Sequence, residues 1–469
     1  MPIVASFLLL SPALGAQQPA SQQPTSGPRP LVNDLHIERF GDAPPRAVRF
    51  AADPVTGDFL CITFDGALYR IRRDGSDHEL LAGSEDHGIT RELQGLAIDD
   101  STIYLTGNVP VNDGYGTRGR LAKGRLQPDG SRTWSTVFMT EAFGTVRTAF
   151  DHGFNATVLS PDERFLFVTS GSRTDHGEVQ DNDGRYPGAR DAAFTAAVLR
   201  IPADAQDLLL PDDADLLAKE GYLFARGIRN AFGLAFAPNG HLFGVSNSSD
   251  YDHPEEMFWI REGRHYGFPW TMGGIENPQQ DPDYEPDPEA DPFLNPYSHA
   301  YGVGYFHNDP NFPTPPEGVT FTAPVPNVGP DGNYYRDPDT GEVKKGDASG
   351  VAVATFTAHR SPLGLVFDVD GSLAEPYRGD GFVLSWTNGA RSVLMGRLSD
   401  LGSDLMHLTL SHSPELDNYI VQARRIADGF NGPVDALLLD RELYVLEHGG
   451  SEASIWRITF PAAREDPAR

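Results

Sequence analysis

The sequence is poor in cysteine and in basic residues. Cys61 is the single cysteine among 469 residues, so the chain can form no intramolecular disulfide, no zinc site of several thiolates and no Cys-x-x-Cys-His haem attachment. Lys and Arg total 37 against 66 Asp and Glu, which gives a formal net charge of -29. Because such a surface repels nucleic acids and anionic membranes, a neutral small molecule or a cation is the favoured partner.

Long apolar runs are missing as well. The start, MPIVASFLLLSPALGA, combines a short apolar stretch with small residues, and a Gln/Ser/Pro-rich segment follows it. This pattern predicts a signal peptide over residues 1–16 and a polar linker over 17–31, hence export to the periplasm or the extracellular space. No later run is long enough to span a bilayer, so we expect no membrane insertion after cleavage.

Glycine and proline, in contrast, are abundant and spread along the chain. The 49 glycines and 38 prolines favour many turns and short strands over long helices, and 39% hydrophobic residues suffice for a sizeable core. The composition therefore predicts an all-β globular protein.

A repeat supports that prediction. Each copy has an apolar run, a turn rich in Pro, Asp, Asn or Gly, and a second apolar or aromatic run. Six copies begin at AVRFAADP, LQGLAIDD, NATVLSPDE, FGLAFAPNG, LGLVFDVDG and PVDALLLD. Since one such sheet cannot bury both faces alone, closing the copies into a ring is the stable arrangement. We predict a six-bladed β-propeller over residues 32–460, followed by a C-terminal tail over 461–469.

One interval between copies is much longer than the others. Residues 268–358 are dense in Pro, Asp, Asn, Gly and Tyr, with little periodicity. We interpret this stretch as a loop-rich insertion on one rim, together with the irregular strands of a blade. A flexible linker between two domains is the alternative.

Polar side chains stand directly before several predicted inner strands, and these strand ends converge on the central channel of a propeller. They are Gln94, His152, Arg229, Asn230, His359 and Arg360. Convergent His and Arg could abstract a proton and stabilise developing negative charge. Structural roles remain open, because Arg229 could pair with a carboxylate between blades and the Asp-His-Gly triplet around His152 recurs at 86–88 and 175–177.

The run GIRNAFGLAFAPNGHLFGVSNSSDYDHPEEMFWIREGRHYGFPW resembles the glucose/sorbosone dehydrogenase family. Matching features are the Arg-Asn pair, Gly-Leu-Ala-Phe, the Pro-x-Gly turn, a polar loop ending in two acidic residues, and the His-Tyr-Gly-Phe-Pro close. Weaker similarity extends over most of residues 45–460. The resemblance implies a six-bladed propeller that oxidises a sugar or a related alcohol or aldehyde with pyrroloquinoline quinone (PQQ) and Ca²⁺, and passes electrons to a separate acceptor.

The resemblance also implies roles for individual residues. His152 would be the base that takes the hydroxyl proton, and Arg229 would stabilise the charge of the reduced cofactor. The cofactor contacts would come from Gln94, Arg229, Asn230, Asn247 and Arg391. Ser248 and Ser249 fall where the family presents backbone carbonyls to Ca²⁺.

Two other classes of function stay open. A metal-dependent lactonase also uses a six-bladed propeller, but it would need Asp, Glu and Asn converging on one ion. A non-catalytic propeller could bind a glycan or a protein through the long insertion. The non-catalytic propeller would need none of the polar ring to converge.

Overall fold

The computed structural model of the chain describes residues 27–144, 150–331, 334–337, 340, 342–346, 354–387, 402–449 and 453–461. Six sheets, antiparallel except for one parallel strand pair, radiate from a central axis. The predicted signal peptide, most of the linker and nearly all of the predicted tail lie outside the described residues. No helix in the described ranges is long and apolar enough to cross a membrane.

The blades follow one another along the chain. Two strands precede them: β1 (Arg29–Pro30) and β2 (His36–Asp42). Blade 1 is β3 (Ala47–Ala52), β4 (Phe59–Thr63), β5 (Leu68–Ile71) and β6 (His78–Ala82). Blade 2 is β7 (Arg91–Ile98), β8 (Thr102–Val111), β9 (Gly116–Leu126) and β10 (Arg132–Thr140), with β11 (Phe143–Gly144) on β9. Blade 3 is β12 (Phe154–Leu159), β13 (Phe165–Ser170), β14 (Ala197–Pro202) and β16 (Leu223–Arg226). Between β14 and β16, the strand β15 (Leu208–Leu210) pairs with β10 of blade 2.

The second half continues the pattern. Blade 4 is β17 (Ala231–Phe236), β18 (Leu242–Ser246) and β19 (Glu256–Ile260). Four short strands follow: β20 (Thr271–Met272), β21 (Ile275–Glu276), β22 (Tyr334–Arg336) and β23 (Val343–Lys345). Blade 5 is β24 (Pro362–Phe367), β25 (Gly381–Ser385), β26 (Asp404–Ser413) and β27 (Asn418–Asp428). Blade 6 is β28 (Pro433–Leu439), β29 (Glu442–Glu447) and β30 (Ser454–Thr459). The helices are α1 (Ser84–His87), α2 (Ala214–Lys219), α3 (His299–Gly302) and two 3₁₀ turns, Asn112–Gly114 and Pro278–Gln280.

The six innermost strands close into a ring. Each packs against the next in the order β3, β7, β12, β17, β24, β28 and back to β3. A separate hydrophobic cluster fills each of the six spaces between neighbouring blades. Because every blade buries both faces this way, the ring is the hydrophobic core, and the predicted six-bladed propeller is confirmed.

The N-terminal strands complete the outer edges of the last two blades. β2 pairs antiparallel with β30, and β1 pairs with β27. The segment therefore covers two strand edges that would otherwise expose unpaired backbone groups. Leu35, between the two strands, is 6% exposed and belongs to the cluster between blades 5 and 6.

Arg49 lies on the axis of the ring. From β3 its guanidinium donates to the carbonyls of Gln94 on β7, at 2.8 Å, and of Phe232 on β17, and it contacts Asp435 on β28 at 3.3 Å. One buried side chain thus joins four inner strands. Its Cζ also lies 4.2 Å from the centroid of the Phe232 ring, so its contacts are with the inner strands and it is part of the scaffold.

The described parts of 268–358 contribute irregular strands to blade 4 as well as loops. Val325 donates its N–H to the carbonyl of Met257 at 2.8 Å, and Phe356 forms a β-bridge with Glu255. The part from residue 268 to 312 carries the hairpin β20–β21 and helix α3. It packs over the end of the channel where β12, β17 and β24 begin.

Candidate functional site

Hairpin geometry brings the polar residues together. In blade 3, β12 begins after His152 and β13 ends before Gly171, and two further hydrogen bonds, Gly171 N to Gly153 O at 2.8 Å and His152 N to Ser172 O at 3.1 Å, extend the pairing. In blade 4, Asn230 precedes β17 and Asn247 follows β18, with Asn247 N donating to Asn230 O at 3.1 Å. Both hairpins therefore present their loops at the same end of the channel.

His152 is oriented as a neutral base. Its Nδ1 lies 3.0 Å from the carbonyl oxygen of Ser172, which can only accept, so Nδ1 carries the proton and Nε2 the free lone pair. Burial, together with the positive charge of Arg229, lowers the pKa of His152 to about 3. Nε2 makes no hydrogen bond to any residue in the described ranges. The imidazole is thus neutral at pH 7, and the lone pair of its Nε2 is open to a proton donor.

Arg229 is buried and firmly held. Its Nε donates to the carbonyl of Asp175 at 2.7 Å, Nη2 to Asp175 Oδ1 at 2.9 Å and Nη1 to the carbonyl of Asn247 at 3.2 Å. A guanidinium has five N–H groups, so one on Nη1 and one on Nη2 remain for a ligand. Arg229 therefore does pair with a carboxylate, as the structural alternative expects. This pairing still leaves two of its N–H groups free to donate to a ligand.

Asn230 and Asn247 belong to one chain of amide hydrogen bonds. Asn155 Nδ2 donates to Asn230 Oδ1 at 2.9 Å, Asn230 Nδ2 to Asn247 Oδ1 at 3.0 Å, and Asn247 Nδ2 to the carbonyl of Pro362 at 3.1 Å. Because each amide has one defined partner on each side, the oxygens and nitrogens of the chain cannot exchange places. The chain links blades 3, 4 and 5 across the site.

The close approach of His152 and Asn230 depends on Gly171. A Cβ at this position would lie 2.4 Å from His152 Cβ and 2.9 Å from Asn230 Oδ1. Ser172, the next residue, donates its N–H to the carbonyl of Arg229 at 2.7 Å. The structure therefore brings His152, Arg229, Asn230 and Asn247 into one cluster, which we call the channel-mouth site.

Gln94 supports this site from blade 2. Its Nε2 lies 3.5 Å from the carbonyls of both His152 and Phe154, and its Oε1 is buried with no partner in the described part of the chain. It thus contacts the backbone of the base-bearing loop. An unsatisfied buried oxygen is the kind of group that a ligand or a water would complete.

The two serines expected to bind a cation, Ser248 and Ser249, differ in their hydrogen bonding. Ser248 Oγ is buried without a hydrogen-bond partner in the described ranges, whereas Ser249 Oγ accepts the N–H of Tyr251 at 3.2 Å. Among the described residues no three or more His, Cys, Asp or Glu side chains form a group able to hold a metal ion. Arg391 lies outside the described residues.

The pair that precedes β24 divides between two roles. Arg360 is bound within blade 5, where its Nη2 donates to both oxygens of Asp404 at 2.7 Å. For Arg360 the structural alternative is therefore present, because a buried carboxylate in its own sheet binds it. His359 stays closer, with Nε2 at 2.9 Å from Asp252 Oδ1 in the loop after β18.

Sequence reasoning missed two groups of carboxylates. Asp175 is the partner of Arg229, and its only signal was the third Asp-His-Gly triplet. Glu255 and Glu256, recognised only as motif positions, are both buried, and burial raises the pKa of each to about 8. Burial of a carboxyl group depends on tertiary packing, so the sequence carried no direct sign of it.

The channel-mouth site fits the polar edge of a quinone cofactor. Arg229 has two N–H groups to donate, and the neutral His152 has a free Nε2. Ser248 Oγ and Gln94 Oε1 are buried polar atoms that the described residues do not satisfy. This set offers donors for oxygens that gain negative charge and an acceptor for a hydroxyl proton, which is what oxidation of an alcohol requires.

Comparison with known proteins agrees with this chemistry. The model of the family described as Glucose / Sorbosone dehydrogenase matches residues 44–304. No curated protein matches the chain. Similar solved structures include a glucose dehydrogenase, with 15% identity and a TM-score of 0.57 over 90% of this chain and 99% of that one. The apo soluble aldose sugar dehydrogenase of Escherichia coli has 15% identity and a TM-score of 0.55, covering 91% and 99%.

A third solved structure is the PQQ-bound aldose sugar dehydrogenase of Streptomyces coelicolor, with 15% identity, a TM-score of 0.50 and coverage of 91% and 98%. At these identities the structures establish the shared fold, whereas the family model covers more than half of the chain. The protein belongs to the glucose/sorbosone dehydrogenase family and is an oxidoreductase of the sugar dehydrogenase type.

Proposed function

We propose that the protein oxidises the CH–OH group of a sugar or a related alcohol or aldehyde, using PQQ and Ca²⁺ bound at the channel-mouth site. The observation that carries the proposal is the neutral His152, whose Nε2 is free, beside Arg229 with two unused N–H groups. Bound there, the quinone would accept the substrate hydride. The cation would polarise the quinone.

Each residue then has a defined task. His152 Nε2 accepts the hydroxyl proton while the substrate carbon loses a hydride, so that the alcohol becomes a carbonyl compound. Ser172 fixes the ring through Nδ1, and Gln94 supports the loop from blade 2. Arg229 and Asn230 hold the oxygens that become more negative, in a site where burial strengthens their hydrogen bonds.

The free N–H groups of Arg229 and the free Nε2 of His152 support binding of PQQ. We propose Arg391 as the contact for the carboxylates of PQQ, and Ser248 and Ser249 as the contacts for Ca²⁺. We further propose export through cleavage of residues 1–16 and transfer of electrons to a separate partner protein or small acceptor. N-terminal sequencing of the protein recovered from a periplasmic or medium fraction would test the cleavage.

The function is tested by titrating the purified protein with PQQ and Ca²⁺ and following dye reduction with a panel of aldoses and alcohols. His152→Ala should lower kcat by about 10² to 10⁴, because the positioned base is lost. His412→Ala is the control, since His412 is exposed near the end of β26 that lies away from the channel-mouth site.

Sugar-dependent turnover that requires PQQ and disappears only in His152→Ala would support the proposal. Absence of both PQQ binding and turnover would refute it. Hydrolysis of sugar lactones by the same preparation would then identify a lactonase.

A further inference from the structure

Asp175 and His176, in the third Asp-His-Gly triplet of the chain, form with Glu178 a line of alternating charges behind Arg229. Arg229 Nη2 lies 2.9 Å from Asp175 Oδ1. Asp175 Oδ2 lies 2.9 Å from His176 Nδ1, and Glu178 Oε2 is 3.5 Å from the same nitrogen. All four side chains are at most 4% exposed. In so buried a place, the charges of such groups must balance one another.

The surroundings of His176 define its charge. Nδ1 faces the carboxylate of Asp175, and Nε2 faces the carbonyl oxygen of Tyr305 at 3.3 Å. Carboxylates and carbonyls only accept hydrogen bonds, so both ring nitrogens must carry a proton and the ring is an imidazolium. Burial alone would lower the pKa of His176, but the negative charges of Glu178 and Asp175 outweigh it and the pKa is raised. His253 is a further titratable neighbour of His176, and burial lowers its pKa to about 3, so it is neutral.

The insertion holds this imidazolium from the other side. Phe306 stacks on the His176 ring with centroids 4.2 Å apart and planes 4° apart, a geometry that favours a cation. Asn277 Nδ2 donates to the carbonyl of His176 at 2.7 Å. A Cβ on Gly177 would lie 2.7 Å from Pro269 and 3.0 Å from Phe312. The loop therefore lies between the insertion and Arg229, in contact with both.

We propose that His176 is a positioning residue through which the 268–358 insertion fixes Arg229 for the reaction. Its imidazolium orients the carboxylate of Asp175, which accepts from Nη2 of Arg229, while the backbone carbonyl of Asp175 accepts from Nε. The catalytic consequence rests on the function proposed above for Arg229. The insertion thereby does more than cover the channel. Its contacts with His176 set the position of the Arg229 guanidinium, which lies on the opposite side of the loop.

The charge of His176 is tested first by nuclear magnetic resonance on protein labelled with ¹⁵N-histidine, with the signals assigned from their loss in His176→Gln. Both ring nitrogens of His176 should show the shifts of a protonated ring at pH 7.5. A singly protonated ring at this pH would overturn the proposal, and neither outcome depends on cofactor or substrate.

The position of Arg229 is tested by the hydrogen exchange of its Nε–H, assigned with Arg229→Lys. In His176→Gln and Phe306→Leu the exchange should be at least tenfold faster, and kcat in the reconstituted assay should fall about tenfold or more with little change in KM. His407→Gln is the matched control, because His407 is also buried, bonded to Asp380 at 2.8 Å and stacked on Phe382, but far from the site in blade 5.

Unchanged exchange of Arg229 in His176→Gln would refute the positioning role while leaving the dehydrogenase proposal intact. Conversely, a protein without sugar oxidation could still show the imidazolium and the coupled exchange, which would uphold the positioning device and refute only the proposed reaction.

Discussion

At the scale of single residues, Gly171 shows how a missing side chain shapes the channel-mouth site. Its backbone follows β13 and passes between His152 and Asn230, where a methyl group has no room. Its φ is outside the left-handed region, so alanine meets no backbone strain there. The requirement is therefore purely steric.

Gly171→Ala should displace His152 or Asn230 and lower kcat by at least about 10², because a misplacement near 1 Å costs this much in catalysis. The measurement is steady-state kinetics alongside a thermal melt. Gly302→Ala provides the comparison, since nothing lies within 4 Å of a Cβ there. Equal activity of the two variants would contradict the close approach.

His253 is a second informative residue. Its side chain is fully buried beside Tyr251 and Phe293, and neither ring nitrogen has a partner in the described part of the chain. Burial, partly offset by the charge of Asp252, lowers its pKa to about 3. Since the unfolded chain takes up a proton near pH 6.5 and the folded chain does not, this group lowers stability as the pH falls below 6.5.

His253→Phe should therefore stabilise the protein by about 1 kcal/mol at pH 7.5, since two unsatisfied polar atoms are removed. The gain should grow by about 1.4 kcal/mol for each pH unit below 6.5. Urea unfolding at pH 7.5 and 5.5 measures both, with the exposed His36→Phe as control. Destabilisation at both pH values would show that the imidazole nitrogens have a role in the folded protein.

At the scale of elements, blade 5 is joined internally by a buried ionic cluster. Asp404 at the start of β26 accepts hydrogen bonds from Arg360, before β24, and from Arg425 on β27. All three strands are thus fixed at the end that borders the channel-mouth site. Removing a buried anion between two cations leaves both unpaired, which costs far more than the loss of a surface pair.

We expect Asp404→Asn to lower the free energy of unfolding by about 3 kcal/mol. Asp417→Asn is the matched control, because Asp417 also joins two arginines, Arg261 and Arg264, but is 65% exposed. Its loss should cost under about 1 kcal/mol. Chemical denaturation of both variants measures the difference, and equal effects would contradict the structural role of the buried cluster.

At the scale of the whole molecule, ring closure depends on residues distant in sequence. The segment from β1 to β2 covers the outer edges of blades 5 and 6, the last two blades to be made. It also contributes Leu35 to the cluster between them. The two ends of the chain are thereby joined through one sheet.

Deleting residues 27–42 should lower the free energy of unfolding by at least about 3 kcal/mol, because it removes two strand pairings and the burial of Leu35. Urea unfolding of the shortened protein measures this. A peptide spanning residues 27–44, added in excess, should restore part of the loss by mass action, whereas a scrambled peptide should not. Unchanged stability would show that the ring closes without these strands.

Much of the architecture was predictable because its signals are local. Alternating apolar runs separated by Pro-Asn-Gly-type turns, as in FGLAFAPNGHLF, fix hairpins whose ends must meet at the channel. Arg229 and Asn230 stand just before such a strand. Their place at a hairpin end brings both side chains to the channel. The placement of His152 beside them followed from the same repeat.

The partners of these residues were not predictable in the same way. The sequence contains several acidic residues near Arg229, and only packing selects Asp175, 54 positions before it. Likewise Arg360 stands in an equivalent position of the repeat, yet it is bound by Asp404, 44 positions after it in the same blade. Ion pairs of this kind join residues far apart in the chain, so no local pattern specifies them.

The sequence by itself determined the all-β class, the number of blades, the family and which hairpin ends carry polar side chains, because periodicity and turn chemistry act within a few residues. The tertiary structure alone decided the protonation of His152 and His176, the line of charges from Arg229 to Glu178 and the contact between that line and the insertion. Burial and charge pairing set these properties, and both exist only once distant segments have packed together.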